Sequence, residues 1–430
     1  MVGFNKKTVK DINLEGKRVL LRADYNVPVK NHQVVDDYRI QQSIPTIKYI
    51  LDQKPSALII ISHLGRPEGK PNPDFSLLPV VKRLSQLLGQ PVGFGMDSVG
   101  PQAKTAGKVT LLENLRFHDG EENNNADFAK AILEASGAEV FVQDGFGVVH
   151  RAHASTDAIA KLLPSVAGLL LEKEASTIRK AMDEPERPFV AIVGGAKISD
   201  KIEVLNKFIA TADAVAVVGA LANNFLRAEG IKLGRSMVEP EAMGEAREIL
   251  KRARAQEKSR DFNFFVPVDA VVSKSMDGRS STRVVDLSSN SLADIEAYPH
   301  KPPHAAHNIL ADEMILDIGP ISAAAISGAI KLSKTVVWGG PCGVTETKGI
   351  AGAHPPFSHG TRMVVEAITG SSNNHKNKPF SIVGGGDTAA YVEAEGLLED
   401  FNFVSTGGSA ALELMAGKAL PGIAALADKT

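Results

Sequence analysis

Short apolar runs recur along this chain, each ending in glycine or a polar residue and each followed by a helix-like stretch. That alternation constrains the fold more than any other feature. The runs are Val19–Arg22, Ala57–Ser62, Val109–Glu113, Val140–Gln143, Phe189–Val193, Ala214–Val218, Phe262–Val268, Met314–Ile318, Thr335–Trp338, Phe380–Val383 and Phe401–Val404. Several are continuously apolar rather than alternating, the pattern of strands covered by helices on both faces. Stretches of helical period, such as Asp127–Ala135, Lys201–Ala210 and Glu241–Arg254, lie between them. Strand–helix alternation implies parallel sheets with crossover helices. About a dozen strands are too many for one comfortable doubly wound sheet, so two α/β domains are expected.

The best boundary lies near Leu169–Arg187, where LLLEKEASTIRKAMDEPERP reads as one amphipathic helix stopped by Pro185 and Pro188. A single helix joining two domains of similar size can serve as a hinge. The short polar stretches Glu121–Asn125 and Ser371–Lys378 read as surface loops. Lysine plus arginine number 48 against 50 acidic residues, a net charge of −2 that argues against bulk binding to nucleic acid or an anionic membrane. The one cysteine, Cys342, excludes an intrachain disulfide and a cysteine-rich metal site. No apolar run approaches the roughly 18–20 residues that span a bilayer, and the lysine-bearing start lacks a signal-peptide core. A soluble, cytoplasmic protein is expected.

In open α/β sheets, ligands sit beyond the carboxyl ends of the strands. In the first half those positions are rich in cations. RADYNVP supplies Arg22, Asp24 and Asn26, with Arg39 following; SHLGRP supplies His63 and Arg66; ENLRF supplies Arg116; DGFGVVHRAHAS supplies His150, Arg151 and His153. Any one arginine taken singly is more often a salt-bridged surface group. Together, guanidinium forks at strand ends point to a small, multiply anionic ligand.

The second half carries glycine loops. Gly194 and Gly195 follow a strand, with Lys197 and Lys201 four apart at the opening of a helix. Gly384, Gly385 and Gly386 repeat the arrangement, followed by Asp387 and Thr388. Glycine permits close backbone approach, and a helix N-terminus favours anions. Asp387 can cap its helix or hold Mg²⁺ on bound phosphates. VVWGGPCGVTE forms a third loop, in which Glu346 can accept hydrogen bonds from ribose hydroxyls. The phosphate loop G-x-x-x-x-G-K-[ST] and the strict G-x-G-x-x-G fingerprint are both absent, and the histidines show no zinc spacing.

The motifs RADYNVP, SHLGRP, LLENLRF, HRAHAS, GGAKISDKI, DIGP, VVWGGPCGV, VGGGDT and VSTGG occur in that order over nearly the whole chain. The sequence thereby resembles the phosphoglycerate kinases. That resemblance implies two similar doubly wound, Rossmann-like domains joined by a hinge helix. Residues 1–170 would bind 3-phosphoglycerate, 171–187 form the hinge, 188–404 bind Mg-nucleotide, and 405–430 return to the first domain. It implies a substrate site of Arg22, Asp24, Asn26, Arg39, His63, Arg66, Arg116 and Arg151, with Arg39 on the transferring phosphoryl. It likewise implies catalytic Lys197 and Lys201, and a nucleotide site that adds Gly219, Leu316, Glu346 and Gly384–Thr388, with Asp387 on the metal. A monomer is expected. Two positions depart from the family pattern: Gly339 stands where W-N-G-P has asparagine, and Thr345 replaces an aromatic residue. Both bear on nucleotide affinity rather than on fold.

The implied reaction is reversible phosphoryl transfer from ATP to the carboxylate of 3-phosphoglycerate. A carboxylate is already ionised at neutral pH, so no general base is needed, and hinge closure would exclude water. Two other readings remain open at this point: a non-catalytic, nucleotide-responsive descendant, and a dinucleotide-dependent dehydrogenase.

Overall fold

The computed structural model describes residues 4–103, 107–287, 309–350, 354–370 and 378–429. Most of the Ser371–Lys378 segment therefore lies outside the described residues. The chain divides into two compact units. One comprises Met1–Arg179, Ser409–Leu414 and Lys418–Thr430; the other comprises Lys180–Gly408 and Met415–Gly417.

In the first unit, strands β1 (Arg18–Arg22), β4 (Ala57–Ile61), β5 (Gly93–Gly95), β6 (Val109–Leu112), β7 (Val140–Gln143) and β8 (Ser165–Ala167) form one sheet. A small hairpin of β2 (Val29–Lys30) and β3 (Gln33–Val34) lies outside it. The order β5-β6-β4-β1-β7-β8 is parallel throughout. Every residue of β4, β6 and β7 is buried, as the continuously apolar runs predict. Helix Tyr38–Asp52 buries Ile40, Ser43, Ile47 and Ile50, a spacing of three and four that lays one face on the sheet. The last residues of the chain belong to this unit as well. Lys7 N–H donates to Ala427 at 2.8 Å, and Gly422 N–H to Val149 at 2.9 Å, just before His150 and Arg151.

In the second unit, β9 (Phe189–Val193), β10 (Ala214–Val217), β11 (Asn263–Phe265), β12 (Asp269–Ser273), β13 (Thr282–Asp286), β14 (Met314–Ile318), β15 (Thr335–Gly339), β16 (Phe380–Gly384) and β17 (Phe403–Val404) form two sheets. The larger, in the order β11-β10-β9-β15-β16-β17, is again fully parallel. One expectation needs correction. Met314–Ile318 does not join the parallel sheet; it pairs antiparallel with β12, whose other neighbour is β13. An apolar run shows that a strand is buried, not which partner it pairs with.

Candidate active site

The sheet order of the second unit decides where its glycine loops meet. Strands β9, β15 and β16 are neighbours in register, with Gly339 opposite both Val193 and Gly384. Their carboxyl ends therefore deliver Gly194, Gly340 and Gly385 side by side. Gly194 N–H donates to Gly339 O at 2.7 Å, and Gly340 N–H to Thr388 Oγ at 2.7 Å. A Cβ on Gly340 (φ +105°) would lie 2.2 Å from the Gly194 carbonyl carbon, so that backbone crossing requires glycine. The left-handed residue of W-G-G-P is thus Gly340; Gly339 is an ordinary buried strand residue. Gly219 N–H donates to Cys342 O at 3.2 Å and Leu221 N–H to Gly195 O at 2.8 Å, which brings the end of β10 to the same place.

These loops border a cavity of about 230 Å³ lined by Gly195, Gly219, Leu316, Cys342, Glu346 and Asp387 among others. Ala270, Ile315, Leu316 and Ile318 come from the antiparallel sheet, so the element misassigned from sequence is one wall of the cavity. Apolar walls, glycine backbone and an acid at the rim suit a heterocycle with an anionic tail. Lys201 stands at the start of the helix after β9 and is half-buried. Burial pulls its ammonium below the usual lysine value, against the opposing pull of Asp200 and Asp387. Among the described residues, neither the Lys197 nor the Lys201 side chain has a hydrogen-bond or ion-pair partner. Both remain available to a ligand. Asp387 is exposed in the first turn of helix Gly386–Ala394. Thr388 differs from expectation: its hydroxyl is fully buried and already engaged by Gly340, so its side chain shapes the loop.

Asp317 was not singled out from sequence, although it lies in DIGP. It is buried at the cavity wall, where Oδ1 accepts from Ile318 N–H and Oδ2 from Gly360 N–H, both at 2.9 Å. Burial pushes its carboxyl up to about 7.

In the first unit, the strand-end residues of β1, β4, β6 and β7 also converge. Arg39 Nη1 donates to Asp24 Oδ2 at 3.1 Å and to Asn26 O at 3.2 Å, while Asn26 N–H reaches Asp24 Oδ1 at 3.1 Å. Gly65 is held from two sides, its N–H on Asn26 Oδ1 at 2.9 Å and its carbonyl on Arg116 Nη1 at 2.8 Å. This fixes the loop that presents Arg66, which is exposed and without a side-chain partner among the described residues. Arg116 Nε also forms an ion pair with Glu122 Oε1 at 3.2 Å, without hydrogen-bond geometry. Arg151 Nε donates to His150 Nε2 at 3.1 Å. Burial and the neighbouring Arg151 push the His150 imidazole down to about 4, so it is neutral at pH 7.

Two expectations change here. Arg22 is fully buried, its guanidinium taken up by Ser155 Oγ (2.8 Å), Ala23 O, Ser62 Oγ (3.4 Å) and His63 Nδ1 (3.2 Å). It offers no surface to a ligand and supports the site from beneath. Glu121, expected in a surface loop, is also fully buried. Its oxygens accept from Ser155 N–H at 3.0 Å and Ser155 Oγ at 2.6 Å. A glutamate in the polar run EENNN gives no periodic sign that it turns inward.

Arginines gathered at the strand ends of one α/β unit, and glycine loops beside two unpartnered lysines on the other, suit a phosphotransferase. The sequence matches the family described as phosphoglycerate kinase over residues 9–418. It is 41% identical to phosphoglycerate kinase of Pelotomaculum thermopropionicum over 430 residues, covering 99% of this chain and all of that one. It is 42% identical to the same enzyme of Dictyoglomus turgidum over 433 residues, with 99% and 100% coverage. The solved phosphoglycerate kinase of Coxiella burnetii superposes with a TM-score of 0.76 at 34% identity, and that of Pyrococcus horikoshii with 0.76 at 28%, each covering 98% of both chains. The chain belongs to the phosphoglycerate kinase family, glycolytic enzymes that transfer a phosphoryl group between ATP and 3-phosphoglycerate.

Proposed function

We propose that Mg-nucleotide occupies the glycine-loop cavity of the second unit and 3-phosphoglycerate the arginine cluster of the first. The observation that carries this reading is the meeting of three glycine loops beside unpartnered Lys197 and Lys201. In this reading Leu316 and the apolar wall hold the base, Glu346 the ribose, and Gly195, Gly219 and the Gly384–Gly386 backbone the phosphates. Arg66, Arg116 and Arg151 bind the substrate's phosphate, and Asp24 and Asn26 orient its glycerate.

The donor set fits Mg²⁺. Asp387 is one exposed hard carboxylate beside the phosphate loop, and a phosphate-borne Mg²⁺ needs only one or two protein oxygens. Among the described residues no group of three or more His, Cys, Asp or Glu is gathered to cage a metal alone. Bound there through Asp387, the ion would neutralise phosphate charge. The substrate carboxylate needs no base to become a nucleophile. The protein's work is therefore positioning, with Arg39 and Lys201 meeting charge on the phosphoryl in flight. Transfer requires the two ligands to be brought together, so we place a hinge in residues 171–187, whose motion also excludes water. A cytoplasmic monomer is the form we propose for the enzyme, and no helix among the described residues is long and apolar enough to cross a membrane.

Isothermal titration tests the division of labour. MgADP and 3-phosphoglycerate should each bind at one site and not compete. Mutual displacement would contradict it.

A further inference from the structure

Glu121 lies under the arginine cluster, fully buried, in the short helix Asp119–Glu122. An anion there needs partners, and it has four within reach. Ser155 donates through both N–H and Oγ, His153 Nδ1 lies 3.7 Å from Oε1, and Arg22 Nη2 lies 3.9 Å from Oε1. Ser155 Oγ in turn accepts from Arg22 Nε at 2.8 Å. Glu121 and Ser155 thus hold Arg22 along one edge of its guanidinium.

The same Nη2 also reaches His63, 3.2 Å from Nδ1. Arginine has donors only, so His63 Nδ1 must be the acceptor of that bond. In a neutral imidazole the single proton is then on Nε2. His63 is neutral: burial first, then Arg22, Arg116, Arg39 and His153, hold it well below the usual histidine value.

We propose that Glu121 is a positioning residue for the substrate site. Through Ser155 and Arg22 it fixes His63 as the Nε2–H tautomer, a neutral donor for the anionic substrate. Arg22 supplies the constraint, and Glu121 keeps Arg22 from turning toward the ligand. The inference rests on the reading of this cluster as the 3-phosphoglycerate site. It goes beyond that reading by naming the groups that set the site's hydrogen-bond polarity from beneath.

The test uses the full-length enzyme with Glu121→Gln, and Ser155→Ala as a second variant that leaves the buried charges in balance. In ligand-free wild type, ¹⁵N-histidine NMR should show His63 protonated at Nε2 alone. In each variant the signal should move toward mixed tautomers. KM for 3-phosphoglycerate should rise about tenfold or more while KM for ATP stays within about twofold, the loss expected for a misaligned hydrogen bond to a charged group. His63 protonated at Nδ1 in wild type would overturn the proposal. So would folded variants that leave both the tautomer and the 3-phosphoglycerate KM unchanged, or that raise both KM values equally. A shifted tautomer with an unchanged KM would uphold the positioning role and contradict the location of the substrate site instead.

Discussion

The backbone N–H of Gly340 donates to the Thr388 hydroxyl at 2.7 Å, so the loop after β15 is pinned by the first turn of the helix after β16. Both groups are buried. The bond is therefore a joint between two glycine loops.

Thr388→Val keeps the volume and removes the acceptor, leaving a buried N–H without a partner. We expect a loss of about 1–3 kcal/mol of stability together with weaker MgADP binding, while Thr388→Ser retains both. Chemical denaturation and titration of the pair check this. Equal stability of Val and Ser variants would show that the hydroxyl carries nothing.

Lys201→Ala should lower kcat by about 10²–10³-fold, the cost of losing one preorganised donor to transition-state charge. Its half-buried ammonium beside Asp387 motivates the assignment. Binding of 3-phosphoglycerate should change little. Turnover within a few-fold of wild type would remove Lys201 from the reaction.

Arg66→Ala and Arg151→Ala should weaken 3-phosphoglycerate and spare MgADP, because both arginines belong to the first unit. A lost charge-assisted hydrogen bond corresponds to about 10- to 100-fold in Kd. Calorimetry with both ligands on each variant gives the answer; parallel losses for the two would contradict the division of sites.

Asp144 provides a pH test. It is buried at the end of β7, where Oδ1 accepts from Leu170 N–H (3.0 Å) and Leu171 N–H (3.2 Å) and so caps helix Leu169–Asp183. Burial pushes its carboxyl up to about 6, against the hydrogen bonds of Thr46, Leu171 and Leu170. Between the ordinary value of 3.8 and about 6 the folded state keeps a proton that the unfolded chain has released. Stability from this group is therefore full below that window and falls as pH rises through it, by about 3 kcal/mol. Asp144→Asn should gain on wild type across the same window. Denaturant midpoints at about pH 4 and pH 7 measure it, and a constant difference between the two proteins would contradict the shift.

Much of the fold was legible because parallel strands covered on both faces must be apolar throughout, as ALIII in β4 and FVAIV in β9 are. Helix Tyr38–Asp52, which carries Arg39, was not singled out, since Pro45 inside it obscures the helical pattern. Strands β12 and β13 were missed: β13 buries only Val285 and pairs only at a small sheet's edge. The site residues stand at strand ends, where sequence can point to them. Which of them face outward is a three-dimensional matter. Arg22 lies in the same kind of motif as Arg66, yet one is sealed beneath the site and the other is free.

A coupled assay of purified protein tests directly whether this chain transfers phosphoryl groups between ATP and 3-phosphoglycerate. ADP formation should require both 3-phosphoglycerate and Mg²⁺, and should fall at least about a hundredfold with Lys201→Ala. ADP formation independent of 3-phosphoglycerate, or none with both substrates present, would contradict it.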